Sequence, residues 1–325
     1  MSSILTSDNP HLSESTMSDK IIRFEDAGSL TETTREYVRH SVSENTRRAY
    51  RADLDHFLAW GGNQPASPET IAAYLSDHAE TLSIATLKRR VAALSVAHEA
   101  RNLPNPISTK IVQATLRGIQ RLHGVPQSEA KPLLVEDLLR IMATMGDGPK
   151  DTRDRALLLI GFAGGFRRSE LVAINCTDIE IVRQGLVVSV NRSKSDQTGQ
   201  GRKVGIPLAR GRYCPVRSYE AWMAMAGIEK GPVFRSVTRS GAVQDQRLSA
   251  RSVSSIVKQR VVQIGLDPAR YSGHSLRAGL ATSAAMAGIS TLAIRQQTGH
   301  RSESTLAKYV RSGELFLNNA ASALL

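Results

Sequence analysis

Cysteine is nearly missing from this chain: Cys176 and Cys214 are the only two. They make no disulfide framework, and their isolation offers no zinc-binding spacing, so neither a metal site nor a cofactor site is expected. No apolar run reaches the roughly 18 residues that a membrane-spanning helix needs. The N-terminal stretch MSSILTSDNPHLSESTMSDK has no basic start followed by an apolar segment, so no secretory signal is read there. These absences point to a reducing cytoplasm and away from a membrane. What is present is a 325-residue chain, 41% hydrophobic and 22% charged, which is room for two globular domains with separate cores.

Acidic side chains are the minority, 30 against 42 basic, for a net charge of +12. The excess is uneven. Residues 1–29 hold five acidic groups and two basic ones, whereas residues 132–325 hold 27 basic and 15 acidic. A positive field concentrated in one half of a chain favours a polyanionic partner, most often nucleic acid.

Residues 1–29 are polar, Ser-rich and aperiodic, and read as a disordered tail. Residues 30–123 read as a domain of four or five helices. Ser43 caps a helix that turns Tyr50, Leu54, Phe57 and Leu58 inward, and Pro68 opens another. Leu87, Val91, Leu94 and Ala97 or His98 form the inward face of a third. Ile111, Leu116, Ile119 and Leu122 are expected to be buried on a fourth. GVPQSEAKP, residues 124–132, has linker composition.

A second domain, 133–325, follows. It is expected to be α+β and mostly α: a central helix in DTRDRALLLIGFAGGF, a small antiparallel sheet from 178 to 209 with its first turn at Gln184-Gly185, then helices to the C-terminus. Leu280, Ala284, Ala287, Leu292, Ile294 and Thr298 are expected to pack closely on helix faces. The terminal stretch GELFLNNAASALL is apolar enough to need a groove.

Candidate chemistry lies in polar residues at the ends of these elements. Arg167 and Glu170 are three apart at a helix start, where the acid can orient the arginine. Lys194 falls in NRSKSDQTGQGRKV between two strands, with Lys203 a second candidate there. His274 and Arg277 share one face at a helix N-terminus, a natural phosphate site. His300 follows a Gly that can end a helix, and Ser302 is a plausible cap for the short helix carrying Tyr309. Two arginines, a lysine, two histidines and a tyrosine suit phosphoryl transfer through a tyrosine nucleophile. Arginines neutralise transition-state charge, lysine acts as general acid, and a phenol of reference pKa near 10 needs a positive site or a base to attack.

In order and spacing, FRRSEL, a hairpin lysine, GHSLR, TGH and KYV together resemble the tyrosine recombinase (integrase) family, most closely its Cre-like and Xer-like members, over about residues 40–325. The resemblance implies Arg167, Lys194, His274, Arg277, His300 and Tyr309 as catalytic residues, with Glu170 supporting Arg167. Arg168 stands where relatives often carry an apolar residue. It further implies a C-shaped clamp on double-stranded DNA bearing a recombination site, a 3′-phosphotyrosyl intermediate, and a homo-tetramer joined by exchanged C-terminal helices. A bacterial, phage or plasmid context also follows from it. DNA contacts are expected from Thr46, Arg47, Arg48 and Arg51 on one helix, Lys88, Arg89 and Arg90 on another, and Arg251, Ser254 and Lys258 on a third. Rival readings are a type IB topoisomerase and a DNA-binding protein with an inert tyrosine.

Overall fold

Among the described residues of the first unit, four Ser or Thr residues each cap a helix by accepting a backbone N–H three residues on. In a computed structural model, which describes residues 31–125, 130–191, 201–300 and 303–314, Thr31 caps α1 (Glu32–His40), Ser43 α2 (Glu44–Ala59), Ser67 α3 (Pro68–Asp77) and Ser83 α4 (Ile84–Glu99). A fifth helix, α5 (Lys110–His123), completes the first unit. Its core gathers Leu54, Phe57, Tyr74, Leu87, Val91 and Leu94. One face differs from expectation. Val112 and Ile119 are buried on α5, while Ile111 and Leu122 are exposed, Leu122 by 82%. Positions 112, 116 and 119 keep helical spacing toward α3 and α4, and Ile111 and Leu122 lie off that stripe.

Contacts divide the chain into two units, Met1–Gln127 and Ser128–Leu325. The stretch read as linker up to 132 is already tied to the second unit near its end. Lys131 N–H donates to the Arg270 carbonyl at 2.7 Å and Leu133 N–H to Ser275 at 2.9 Å. The tail assigned to 1–29, Lys194, Ser302 and residues 315–325 lie outside the described residues.

The second unit is built on α7 (Pro149–Ala163), buried nearly all round as its apolar composition predicts. It packs against α9 (Pro215–Ala226) and α11 (Ser275–Met286). Between α7 and α9 come α8 (Arg168–Ala173) and the antiparallel sheet β1–β2–β3 (Ile179–Val182, Gly185–Val190, Arg202–Pro207). Val182 pairs Gly185, so the turn residues are Arg183 and Gln184, one position before those expected. Gly185 has φ of 148°, and a Cβ there would meet the Ile206 carbonyl oxygen at 2.0 Å, so glycine starts the strand rather than making the turn. A second hairpin, β4 (Arg235–Val237) with β5 (Val243–Arg247), has no counterpart in the sequence reading. Its VQDQR strand is largely exposed and carries no apolar alternation.

The remaining helices are α6 (Val135–Thr144), α10 (Ala250–Val262), α12 (Thr291–Thr298) and α13 (Glu303–Glu314). Ile294 and Thr298 are buried, but Ala287 and Leu292 are not. Buried Asp154 of α7 holds α10 in place. Its carboxylate accepts from Arg153 at 2.7 Å and from Arg260 of α10 at 2.5 Å. Removing that carboxylate leaves two buried guanidinium groups short of their counter-charge. Asp154→Ala is therefore expected to lower the unfolding free energy by about 3–5 kcal/mol, measured by urea denaturation of the full chain; a loss below about 1 kcal/mol, the level of an exposed ion pair, contradicts this.

Candidate active site

Helix ends assemble the site. Arg167 is the N-cap of α8, and Glu170 sits three residues on. The Glu170 carboxylate accepts the Arg167 backbone N–H at 3.1 Å and its guanidinium Nη1 at 2.6 Å, so one acid fixes both ends of the arginine. The structure brings Arg167 and Glu170, expected as a pair, into direct contact. Glu170 has a second partner that sequence reasoning missed. Arg202, at the start of β3, donates from Nη2 to Glu170 at 3.1 Å and from Nη1 to the Gln297 carbonyl at 2.8 Å. No motif in the sequence marks Arg202.

The turn before α11 is set by Ser254 of α10. Its hydroxyl accepts the Gly273 N–H at 3.1 Å and lies 3.4 Å from Arg168 Nη1. His274 then caps α11, and Arg277 points into the protein, 1% exposed. Arg277 Nη1 donates to the carbonyls of Gly165 (2.9 Å) and Thr298, and Nε to His300 Nε2 at 3.3 Å. Its Nη2 is buried with no hydrogen-bond partner among the described residues. Burial, then repulsion from Arg167, pulls the Arg277 pKa down to about 10, still charged at neutral pH.

Gly299 ends α12 in the left-handed region, φ 66°, and delivers His300 into the site. Thr298 Oγ1 spends its hydrogen on the Ile294 carbonyl at 2.6 Å, so the 2.7 Å contact to His300 Nδ1 makes that nitrogen the donor. Nε2 is then the acceptor for Arg277. The imidazole is neutral in this arrangement. Burial first, and the Arg277 charge second, push its pKa down to about 3. In this arrangement His300 holds the Arg277 Nε through its unprotonated nitrogen. Tyr309, on α13 of the same chain, lies with its hydroxyl 2.6 Å from His274 Nε2 and its ring 5.8 Å from that of His300.

Six of the seven candidates thus meet: Arg167, Glu170, His274, Arg277, His300 and Tyr309. Lys194 is outside the described residues. Two guanidinium groups, Arg167 and Arg202, share the Glu170 carboxylate, and buried Arg277 bonds only neutral acceptors among the described residues, so the cations outnumber the acid in an arrangement suited to an anion.

The DNA-contact candidates divide differently. Arg48 pairs with Glu44 at 2.7 Å, Thr46 bonds the Ser43 cap, Arg47 is half-buried, and Arg51 and Lys88 are exposed. Arg89 is held by buried Asp53 through two 2.8 Å bonds while half of its side chain stays exposed. Arg90 is a correction. It is buried, donating to the Tyr74 hydroxyl at 2.8 Å, because it lies three residues after Leu87 on the inward face of α4. Arg251 and Lys258 are exposed on α10, whereas Ser254 faces the Gly273 turn.

The second unit thus places Tyr309 in one site with half-buried Arg167 and Arg202 and buried Arg277. The Phage integrase family model matches residues 131–314, and the Phage integrase N-terminal SAM-like domain matches 36–100. The chain is similar to an integrase/recombinase xerD homolog of Selenomonas ruminantium, 38% identical over 312 residues, covering 93% of this chain and 91% of that one. It is 25% identical to recombinase Cre of Escherichia phage P1 over 299 residues, covering 84% and 86%. A structure of the XerH site-specific recombinase bound to palindromic difH substrate, in a post-cleavage complex, shares the fold with TM-score 0.63 and 18% identity, over 85% of this chain and 79% of that one. The chain belongs to the phage integrase family and is a tyrosine recombinase, an enzyme that cleaves and rejoins DNA. Among the described residues no helix is long and apolar enough to cross a membrane.

The depressed His300 pKa has a stability consequence. The unfolded chain takes up a proton near pH 6.5 that the folded chain refuses until about pH 3. Stability supplied by this group is full above pH 6.5 and falls as the pH drops below it. Between pH 7 and 5 the loss is about 2 kcal/mol. His300→Gln is expected to flatten that part of the stability curve in chemical denaturation, and an unchanged slope contradicts the assignment.

Proposed function

We propose that this enzyme is a site-specific DNA recombinase acting through Tyr309. The reading rests most on one observation: the Tyr309 hydroxyl is hydrogen-bonded to His274 in a site that also holds buried Arg277 and the two guanidinium groups, Arg167 and Arg202, that share the Glu170 carboxylate. The scissile phosphate takes the anion position, with Arg277 Nη2 and Arg167 on its non-bridging oxygens. The Tyr309 oxygen attacks phosphorus as its proton passes toward His274 Nε2. Lys194 protonates the departing 5′-oxygen, leaving a 3′-phosphotyrosyl link and a free 5′-hydroxyl. A 5′-hydroxyl from the other duplex reverses the step. The covalent link retains the phosphodiester energy, so resealing needs no nucleotide.

Specific exchange needs two duplexes and four active sites. In this reading the first unit contacts bases or phosphates through Thr46, Arg47, Arg48, Arg51, Lys88 and Arg89, and the second through Arg251 and Lys258. Arg90 and Ser254 support these surfaces from within. The apolar segment Leu315–Leu325 seats in a neighbour's groove between α12 and α13, a cavity of about 320 Å³ lined by Leu292, Leu306, Ala307 and Val310. Four chains on two sites follow, in the cytoplasm of a cell carrying the target DNA.

With a nicked duplex carrying the target site, wild type is expected to form a covalent adduct and Tyr309→Phe none. Arg277→Ala is expected to lower adduct formation by about 100-fold or more while retaining DNA binding. Relaxation of plasmids that lack any target by the wild type would favour a topoisomerase. Binding that barely responds to salt would count against phosphate contacts, since counterion release makes such binding steeply salt-dependent.

A further inference from the structure

The active site contains an arginine for which the chemistry above has no use. Arg202 is largely buried, and its guanidinium reaches three separate pieces of the site. One arm meets the Glu170 carboxylate at 3.1 Å, the acid that also holds Arg167. The other meets the Gln297 carbonyl at 2.8 Å, in the last turn of α12 before His300. Its plane stands 5.9 Å from the Phe166 ring, next to Arg167 in the chain. Gly299 is cut to fit it: a Cβ there would come within 2.8 Å of Arg202 Nε. The same glycine must adopt φ of 66° to end α12. Space and backbone conformation therefore agree on glycine beside Arg202.

We infer that Arg202 is a positioning residue that locks Glu170, and through it Arg167, to the turn that presents His300. The two clusters belong to different elements: α8 with its arginine, and the α12 terminus with its histidine. Arg202 joins them from a third element, at the pair Val190–Arg202 that closes the β2–β3 ladder. Arginine suits the post because its flat fork can satisfy a carboxylate and a carbonyl in different directions, which one ammonium does poorly at this reach. It also adds charge: Arg202 is among the cations that hold His300 neutral.

The inference rests on the recombinase reading, and the test separates the two. Wild type, Arg202→Met, Arg202→Lys, Glu170→Gln and the Arg202→Met/Glu170→Gln double variant are compared on a nicked duplex carrying the target site. Gel retardation reads binding and covalent adduct rate reads chemistry. Absence of any adduct with wild type overturns the recombinase reading itself. With wild type active, Arg202→Met is expected to bind DNA normally and form adduct about 100-fold more slowly, the size of effect a small misplacement produces. Arg202→Lys is expected between the two. The double variant is expected to be no slower than its slower parent, because both changes break one unit. The His300 ring, followed by NMR, is expected to titrate at higher pH in Arg202→Met, because one of the cations that lower it is lost. Wild-type adduct rates in Arg202→Met overturn the inference, as do losses that multiply in the double variant. If Arg202→Met fails to fold, Arg202→Lys decides: a slowed adduct at an unchanged melting temperature supports the role, and a wild-type rate ends it.

Discussion

A buried cation without a counter-charge of its own organises the second unit. Arg277 is enclosed, repelled by Arg167 and Arg202, and among the described residues bonded only to neutral acceptors: two carbonyls and an imidazole. Taking such a charge out of water costs several kcal/mol unless something negative arrives. The fold holds it in place with a carbonyl from the turn after α7, another from the end of α12, and the fixed tautomer of His300. An anion entering the site meets donors that are already aimed and need no reorganisation, which is the condition for stabilising charge that develops during a reaction.

The chemistry sits almost entirely at helix termini. Arg167 caps α8, His274 caps α11, and His300 follows the left-handed cap of α12. Helix ends expose backbone groups that must find partners, and here those partners are the functional side chains themselves. Glu170 bonds a backbone N–H and two guanidinium groups at once, so the same acid that closes the α8 capping box also sets the spacing of the arginines. Local helix formation and site assembly are one event at these positions. Tyr309 is the exception, carried in the body of α13 with Leu306 and Val310 packed beneath it.

What could be read from the sequence followed from locality. The cap Ser43, the opening Pro68, the inward face of α4 and the central α7 all depend on residues within one or two turns, and the structure agrees with each. The Arg167–Glu170 pair and the Gly299–His300 turn were legible for the same reason. The failures need partners distant in sequence. Arg90 looks like a surface base in LKRRV, yet Tyr74 and Asp53, 16 and 37 residues away, give it an interior seat. Leu122 and Ile111 look apolar enough to bury, but α5 turns Val112 inward alongside the expected Ile119 and leaves both exposed. Arg202 belongs to the site only because Glu170, 32 residues earlier, and Gln297, 95 residues later, converge on it. The polar hairpin β4–β5 had no periodic signal to find.

The account stands on where the scissile phosphate sits. A crystal structure of the full chain on a nicked duplex containing its target site tests that most directly. The expected result has a non-bridging oxygen within hydrogen-bond distance of Arg277 Nη2, and the Tyr309 oxygen of the same chain behind the phosphorus, opposite the departing 5′-oxygen. A phosphate seated away from Arg277, or a tyrosine supplied by a neighbouring chain, would contradict it.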